Sequence, residues 1–229
     1  MTTRRTGLRE QKKQATRQAL RAAALRLALE RGPDNVRVDD IAEAAGVSPR
    51  TYNNYFSSRE QAIVAAVTGE REARVAAAVA DRPGGVGLAD AVIEAIVDQY
   101  TAPGEPGQDA LLLITTRPAL RDAFIDTTAA IEHPLTDAIA ERLGDGAGAG
   151  DGDGDGERDP HTARVLAASV AAAVRVALEH WLRTTAASVT AGGLVVPSGS
   201  LPDLLRATLA PLAPALDAAE QRALRRRRR

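Results

Sequence analysis

Cysteine is absent from the 229 residues, which excludes disulfide frameworks and thiolate metal sites. Aromatic side chains are scarce, at one Trp, three Tyr and two Phe, and runs of β-branched residues are few, which argues against sheet. No run of about 18 uninterrupted apolar residues occurs. The first residues are polar and basic, without the apolar core of a leader segment. The expectation is a soluble, cytoplasmic protein with no membrane partner. The three histidines, His133, His161 and His180, lack an acidic pair at metal-ligand spacing. No phosphate-binding glycine motif is present either. With no thiol nucleophile, these absences argue against an enzyme, and no cofactor or metal is expected.

What is abundant is alanine, leucine and arginine, all strong helix formers, together with valine. The predicted fold class is all-α. The formal charge of −1 conceals an asymmetry: residues 1–60 hold 12 Lys/Arg against 7 Asp/Glu, whereas the remainder holds 17 against 23. A basic head on an acidic body is the footprint expected of a nucleic-acid-binding module joined to a partner domain.

Periodicity divides the chain further. Leu20, Ala23, Ala24 and Leu27 form the apolar stripe of a helix over 9–31, stopped by Gly32-Pro33. Two short helices follow near 38–45 and 49–55, then a longer one over 59–81. Helices are predicted over 88–101, 110–116, 118–143, 160–190 and 202–219. Pro118 suits the first turn of its helix. Residues 144–159 are nearly all Gly, Asp and Ala and read as a flexible linker. Asp151, Asp153 and Asp155 alternate with glycine as in a calcium loop, but Thr162 stands where that loop needs a bidentate Glu, so the linker reading is preferred. The terminal Arg225 to Arg229 read as a disordered basic tail, solvated or touching DNA.

The informative run is Arg37 to Phe56. Ile41, Ala45 and Val47 are candidates for a small core beneath two crossing helices, with Ala42 allowing close approach. Gly46 closes the first helix in a left-handed conformation. Ser48 caps the second, and Pro49 occupies its first position. Arg50, Thr51, Asn53 and Asn54 then fall on the first turns of that second helix, where a recognition helix meets base edges. Arginine pairs bidentately with guanine and asparagine with adenine. Half of the chain's aromatics, Tyr52, Tyr55 and Phe56, cluster here, as a small module needing a compact core would require.

These residues resemble the TetR family of bacterial regulators. The likeness rests on Ile41-Ala42, Ala45 to Ser48, the segment Arg50 to Asn54, Tyr55-Phe56 and Arg59-Glu60, and covers about residues 16–67. It implies a three-helix N-terminal DNA-binding domain over 1–58 and a helical-bundle ligand-binding and dimerisation domain over 59–220, with 221–229 as the basic tail. It also implies a ligand-responsive repressor that binds a palindromic operator as a homodimer and is released by a small-molecule effector. The DNA-contacting set is then Arg37, Ser48, Pro49, Arg50, Thr51, Asn53, Asn54, Tyr55 and Arg59. Arg37 stands where the family often has a capping threonine, Arg59 where lysine is commoner, and Asn53 replaces a more usual aromatic. Arg4, Arg5, Lys12, Lys13, Arg17 and Arg21 are placed to flank the duplex, or to form a solvated helix face.

Arg117-Pro118-Ala119-Leu120 and Trp181 resemble the subgroup with an acyl-CoA-like ligand domain. Candidates to line a cavity are Tyr100, Leu113, Arg117, Phe124, Thr128, Ala168, Ala172 and Trp181, with His133, Arg175 and His180 as further polar groups. Each is also readable as ordinary core or surface. The helices near 160–190 and 202–219 are the predicted dimer contacts, through Val165, Ala168, Ala172 and Val176 and through Leu204, Leu205, Leu209, Leu212 and Leu216. A helix-turn-helix kept only as scaffold, or a helical interaction protein without DNA, are the competing readings.

Overall fold

The computed structural model describes residues 3–69, 71–83, 85–101, 108–144, 160–190 and 200–228. Among them there are twelve α-helices, three 3-10 turns and no strand, which is the all-α class expected. The expected linker over 144–159 lies outside the described residues apart from Gly144, which ends a helix in the left-handed region at φ 78°.

The helices pack as two units, Met1–Gly69 with Gly104–Phe124, and Glu70–Pro103 with Ile125–Arg229. This division differs from the boundary expected at residue 58. In the first unit α1 (Thr3–Arg31) buries Leu20, Ala23, Ala24, Leu27 and Ala28, the i, i+3, i+4 stripe of an amphipathic helix. Against it lie α2 (Val38–Ala44), and α4 (Arg59–Thr68) with Ala62, Ile63, Val64 and Val67 buried. α3 (Pro49–Tyr52) packs on α2, and α7 (Gln108–Thr116) on both α1 and α4. The apolar face of α4 therefore belongs to the core of the head, which is why the packing boundary falls beyond it.

The long helix expected over 59–81 is two helices. Gly69, at φ 61° and ψ −136°, ends α4 in a conformation open to glycine, and α5 (Arg71–Ala80) begins anew. The second unit packs α5 between α6 (Leu88–Thr101) and α9 (Glu132–Leu143). α8 (Pro118–Asp126) is followed by a 3-10 turn over Thr127–Ile131 where one helix was expected over 118–143. The apolar α10 (Pro160–Thr190) lies against α9 and α11 (Leu201–Leu209). Its segment His161–Thr185 is long and apolar enough for a membrane span by composition alone. Val170, Val174, Ala177, Leu178 and Leu182 are nevertheless buried, as in a core helix.

A second 3-10 turn over Ala210–Leu212 separates α11 from α12 (Ala213–Arg227). The basic end expected to be disordered is helical to Arg227. Arginine is a good helix former, cations are favoured at a helix C-terminus, and Ala223 anchors the last turns.

One buried arginine organises this unit. The Arg142 side chain is 10% exposed. Its Nη1 donates to Val79 O (3.4 Å) and Arg82 O (3.1 Å), and its Nη2 to Val86 O (2.6 Å) and Glu220 Oε1 (3.4 Å). It thereby satisfies carbonyls at the end of α5 that have no helical partner. Glu220 in turn accepts from Leu88 N (2.9 Å) at the start of α6.

Candidate nucleic-acid interface

The head assembles from local hydrogen bonds. Arg37 precedes α2 in an extended conformation, and its backbone N donates to Asp40 Oδ2 at 2.9 Å. Asp39 and Asp40 in the first turn complement the helix dipole. At the other end Gly46 takes φ 69°. Gly46 N donates to Glu43 O (3.0 Å) and Val47 N to Ala42 O (2.9 Å), the paired bonds of a Schellman termination. Two residues later Ser48 Oγ accepts from Thr51 N (3.1 Å) and shares a 2.9 Å hydrogen bond with Thr51 Oγ1. Pro49 opens α3, where its missing N–H is harmless. The corner is thus closed by glycine, serine and proline in the roles expected of them.

α3 has only four α-helical residues, and hydrogen-bonded turns continue it: Asn54 N donates to Thr51 O and Tyr55 N to Tyr52 O. Tyr52 is fully buried. Its hydroxyl donates to Ser58 O at 2.8 Å, and its ring lies 5.8 Å from that of Phe56. Burial, aided by the charge of Glu60, pushes the Tyr52 phenol up to about 12. The Arg17 guanidinium sits 5.9 Å from the Phe56 ring, which ties α1 to this corner. With Tyr52 turned inward, Arg50, Asn53 and Asn54 are exposed and Thr51 and Tyr55 half-buried. Ser48, Pro49 and Arg37 are exposed beside them. Of the expected inner residues Ile41 is buried, but Ala45 and Val47 are only half-buried, and Ala42 takes the buried place.

Arg59 has partners within the head. Its Nη1 donates to Asp34 O (3.0 Å) and Val36 O (2.9 Å), and its Nε to Glu60 Oε1 (2.6 Å). These bonds tie the start of α4 to the 3-10 turn over Pro33–Asn35, so the guanidinium braces the head internally. Burial raises the Glu60 carboxyl, but the Arg59 hydrogen bond and charge outweigh it and hold the group below its ordinary range. Lys12 and Lys13 are exposed on α1, and Arg17 and Arg21 half-buried; the side chains of Arg4 and Arg5 lie outside the described residues. Sequence reasoning missed Asp40 and Gln61, whose Oε1 accepts from Ser57 N at 2.7 Å. Both stand three residues into their helices, at the spacing of a capping partner.

The ligand candidates are divided between the two units. Leu113, Arg117 and Phe124 fall in the first unit, and Tyr100, Thr128, Ala168, Ala172 and Trp181 in the second. Arg117 is exposed and pairs with Asp34 at 3.0 Å. Ala172 is exposed on the outward side of α10 rather than lining an interior. Thr128 is buried with its hydroxyl donated to Ile125 O at 2.7 Å, a local structural bond. Phe124 is buried, while Leu113, Ala168 and Trp181 are half-buried. Arg71 lies 4.4 Å over the Tyr100 ring. Burial pushes the Tyr100 phenol up to about 12, against the opposing pull of Arg71. His133 and His180 are exposed, and Arg175 pairs with Asp126 and Glu179. A cavity of about 270 Å³ in the second unit is lined by Arg82, Arg142, Glu220 and Leu224 among others, and by none of the candidates.

Two short helices joined through a left-handed glycine and a serine cap, braced by a third, define a helix-turn-helix module. Residues 20–66 match the family described as bacterial regulatory proteins, tetR family. The chain is 31% identical over 147 residues to the HTH-type transcriptional regulator TcmR of Streptomyces glaucescens, a match spanning 60% of this chain and 65% of that protein. A solved TetR-family transcriptional regulator from a Rhodococcus species aligns over 89% of this chain and 99% of its own, at 22% identity and a TM-score of 0.44. Residues 20–66 thus carry a module like that of the tetR family, and the chain resembles a regulator of that kind over 147 residues.

Proposed function

We propose that this chain is a cytoplasmic DNA-binding transcriptional regulator, a homodimeric repressor that reads a near-palindromic operator through α3 and releases it on binding a small-molecule effector. The observation that carries this reading is the exposed set Arg50, Asn53 and Asn54 on a helix whose start is fixed by the Ser48 cap. Their donors and acceptors match the major-groove edges of guanine and adenine. Arg37, Ser48, Pro49, Thr51 and Tyr55 surround them as phosphate and groove contacts.

A two-fold operator needs two heads, and the outward stripe of α10 is the contact surface we assign. Val165 is 61% exposed and Val176 57%, with exposed Ala172 between them. Leu205, Leu209 and Leu216 are already buried within the protomer, so of the second helix only half-buried Leu204 and Leu212 remain available. Release by an effector requires that it bind the DNA-incompetent arrangement more tightly. Tyr100 and Trp181 are the side chains we assign to its site.

The test is selection of duplexes from a random pool by the wild-type protein, followed by titration of the selected operator with R50A/N53A/N54A. The variant is expected to lose operator preference while keeping its helicity and its mass in solution. Operator affinity retained in that variant sinks the assignment of α3.

A further inference from the structure

The last turns of α12 present a cationic face that the recognition helix does not account for. Residues 61–221 hold 11 arginines against 23 Asp/Glu, whereas residues 222–229 hold six arginines and no acid. Because the helix runs to Arg227, these side chains take defined directions. Leu216, Ala219 and Ala223 mark the buried side. Arg227 follows on that side, where its Nη2 donates to Arg142 O at 3.3 Å. At about 3.6 residues per turn, Arg225 lies opposite that side, Arg222 flanks it and Arg226 stands at its edge, and all three are exposed along one flank of the helix. Their i, i+3, i+4 spacing sets the Cβ atoms about 5–6 Å apart.

The chemistry of the face selects among polyanionic partners. Ala218 and Gln221 are its other exposed members, so it offers no aromatic or large aliphatic anchor; exposed Leu224 lies to one side. Protein partners rely on desolvated anchors of that kind. A helix lying on a membrane needs an apolar face turned to the lipid, and the apolar side of α12 is buried in its own unit. A phosphate backbone needs neither, because the free energy comes from counterions released when cations approach. We propose that Arg222, Arg225 and Arg226 form a second, sequence-independent docking surface for the backbone of duplex DNA, in a unit that is otherwise acidic.

The experiment titrates the full chain and its R222Q/R225Q/R226Q variant with a random-sequence duplex over a series of salt concentrations. Each phosphate contact contributes about 0.9 to the slope of log K against log salt, so the variant's slope is expected to be shallower by about 2 to 3. R222K/R225K/R226K should restore the wild-type slope, and circular dichroism should show equal helicity in all three. A slope unchanged by the glutamines overturns the proposal, as does a lysine variant that fails to restore it. Altered sedimentation with an unchanged slope would assign the arginines to the acidic surface of a second copy, and overturns it equally. The proposal is separable from operator reading by α3. R50A/N53A/N54A loses operator preference while the arginine-dependent share of the slope persists, whereas a wild-type operator binder whose slope ignores the arginines retires this surface alone.

Discussion

Between α2 and α4 the chain turns twice within a dozen residues, and single side chains hold each turn. Ser48 caps α3 through Thr51 N, and losing such a cap costs about 1 kcal/mol. Ser48→Ala should lower the unfolding free energy from denaturant titration by that amount, and Ser48→Thr by only a few tenths; equal stability of wild type and alanine variant would count against the cap. Tyr52 is a different case, because its phenol is buried and its pKa is pushed up to about 12. The unfolded phenol titrates near 10. Its contribution is therefore fully present below about pH 10 and is lost as pH rises through about 12. Melting temperatures at pH 8 and pH 11 should fall further in the wild type than in Tyr52→Phe, which lacks the ionising hydroxyl. An identical fall in both would refute the link, Tyr100 being the other phenol raised to about 12.

Helix boundaries show what can be read along the chain and what cannot. The corner from Ala42 to Thr51 is legible because each of its bonds joins residues within five positions. The breaks inside the expected long helices carry proline signals that periodicity outweighed. Pro134 stands in the first turn of α9, and Pro211 and Pro214 in and after the turn that separates α11 from α12. A proline inside a helical pattern marks a stop or a restart. Gly69 is less decisive, since a lone glycine is tolerated within a helix at a modest cost. Arg142 had no signal at all, because the carbonyls it satisfies lie 56 to 63 residues away. Arg142→Gln should leave those carbonyls unsatisfied and Glu220 without its cationic partner, with only Leu88 N still donating to it, a loss of about 2–4 kcal/mol. Urea unfolding followed by far-ultraviolet circular dichroism measures it, and an unchanged midpoint would contradict the bracing role.

At the scale of the whole molecule, the outward stripe of α10 bears on assembly. Val165 and Val176 leave more than half of their surface in water, whereas most valines of this chain's helices are buried. Placing a carboxylate at the centre of the dimer contact proposed on α10 would leave it desolvated and without a partner. V165E/V176E should therefore sediment as a monomer and bind the selected operator more weakly, with the protomer's helicity unchanged. Retention of the dimer by that variant would move the interface elsewhere.

What the sequence determined by itself is the all-α class, the helix-turn-helix corner and the exposed polar set at Arg50, Asn53 and Asn54, because periodicity, capping and glycine chirality act over a few residues. Only the tertiary structure decided that Arg59 braces the turn over Pro33–Asn35, that α4 belongs to the core of the head, and that Ala172 faces outward while Leu205 and Leu209 do not. It decided too that Arg225 to Arg227 continue a helix. In each case the deciding partner lies far along the chain or on another helix, where no local pattern reports it.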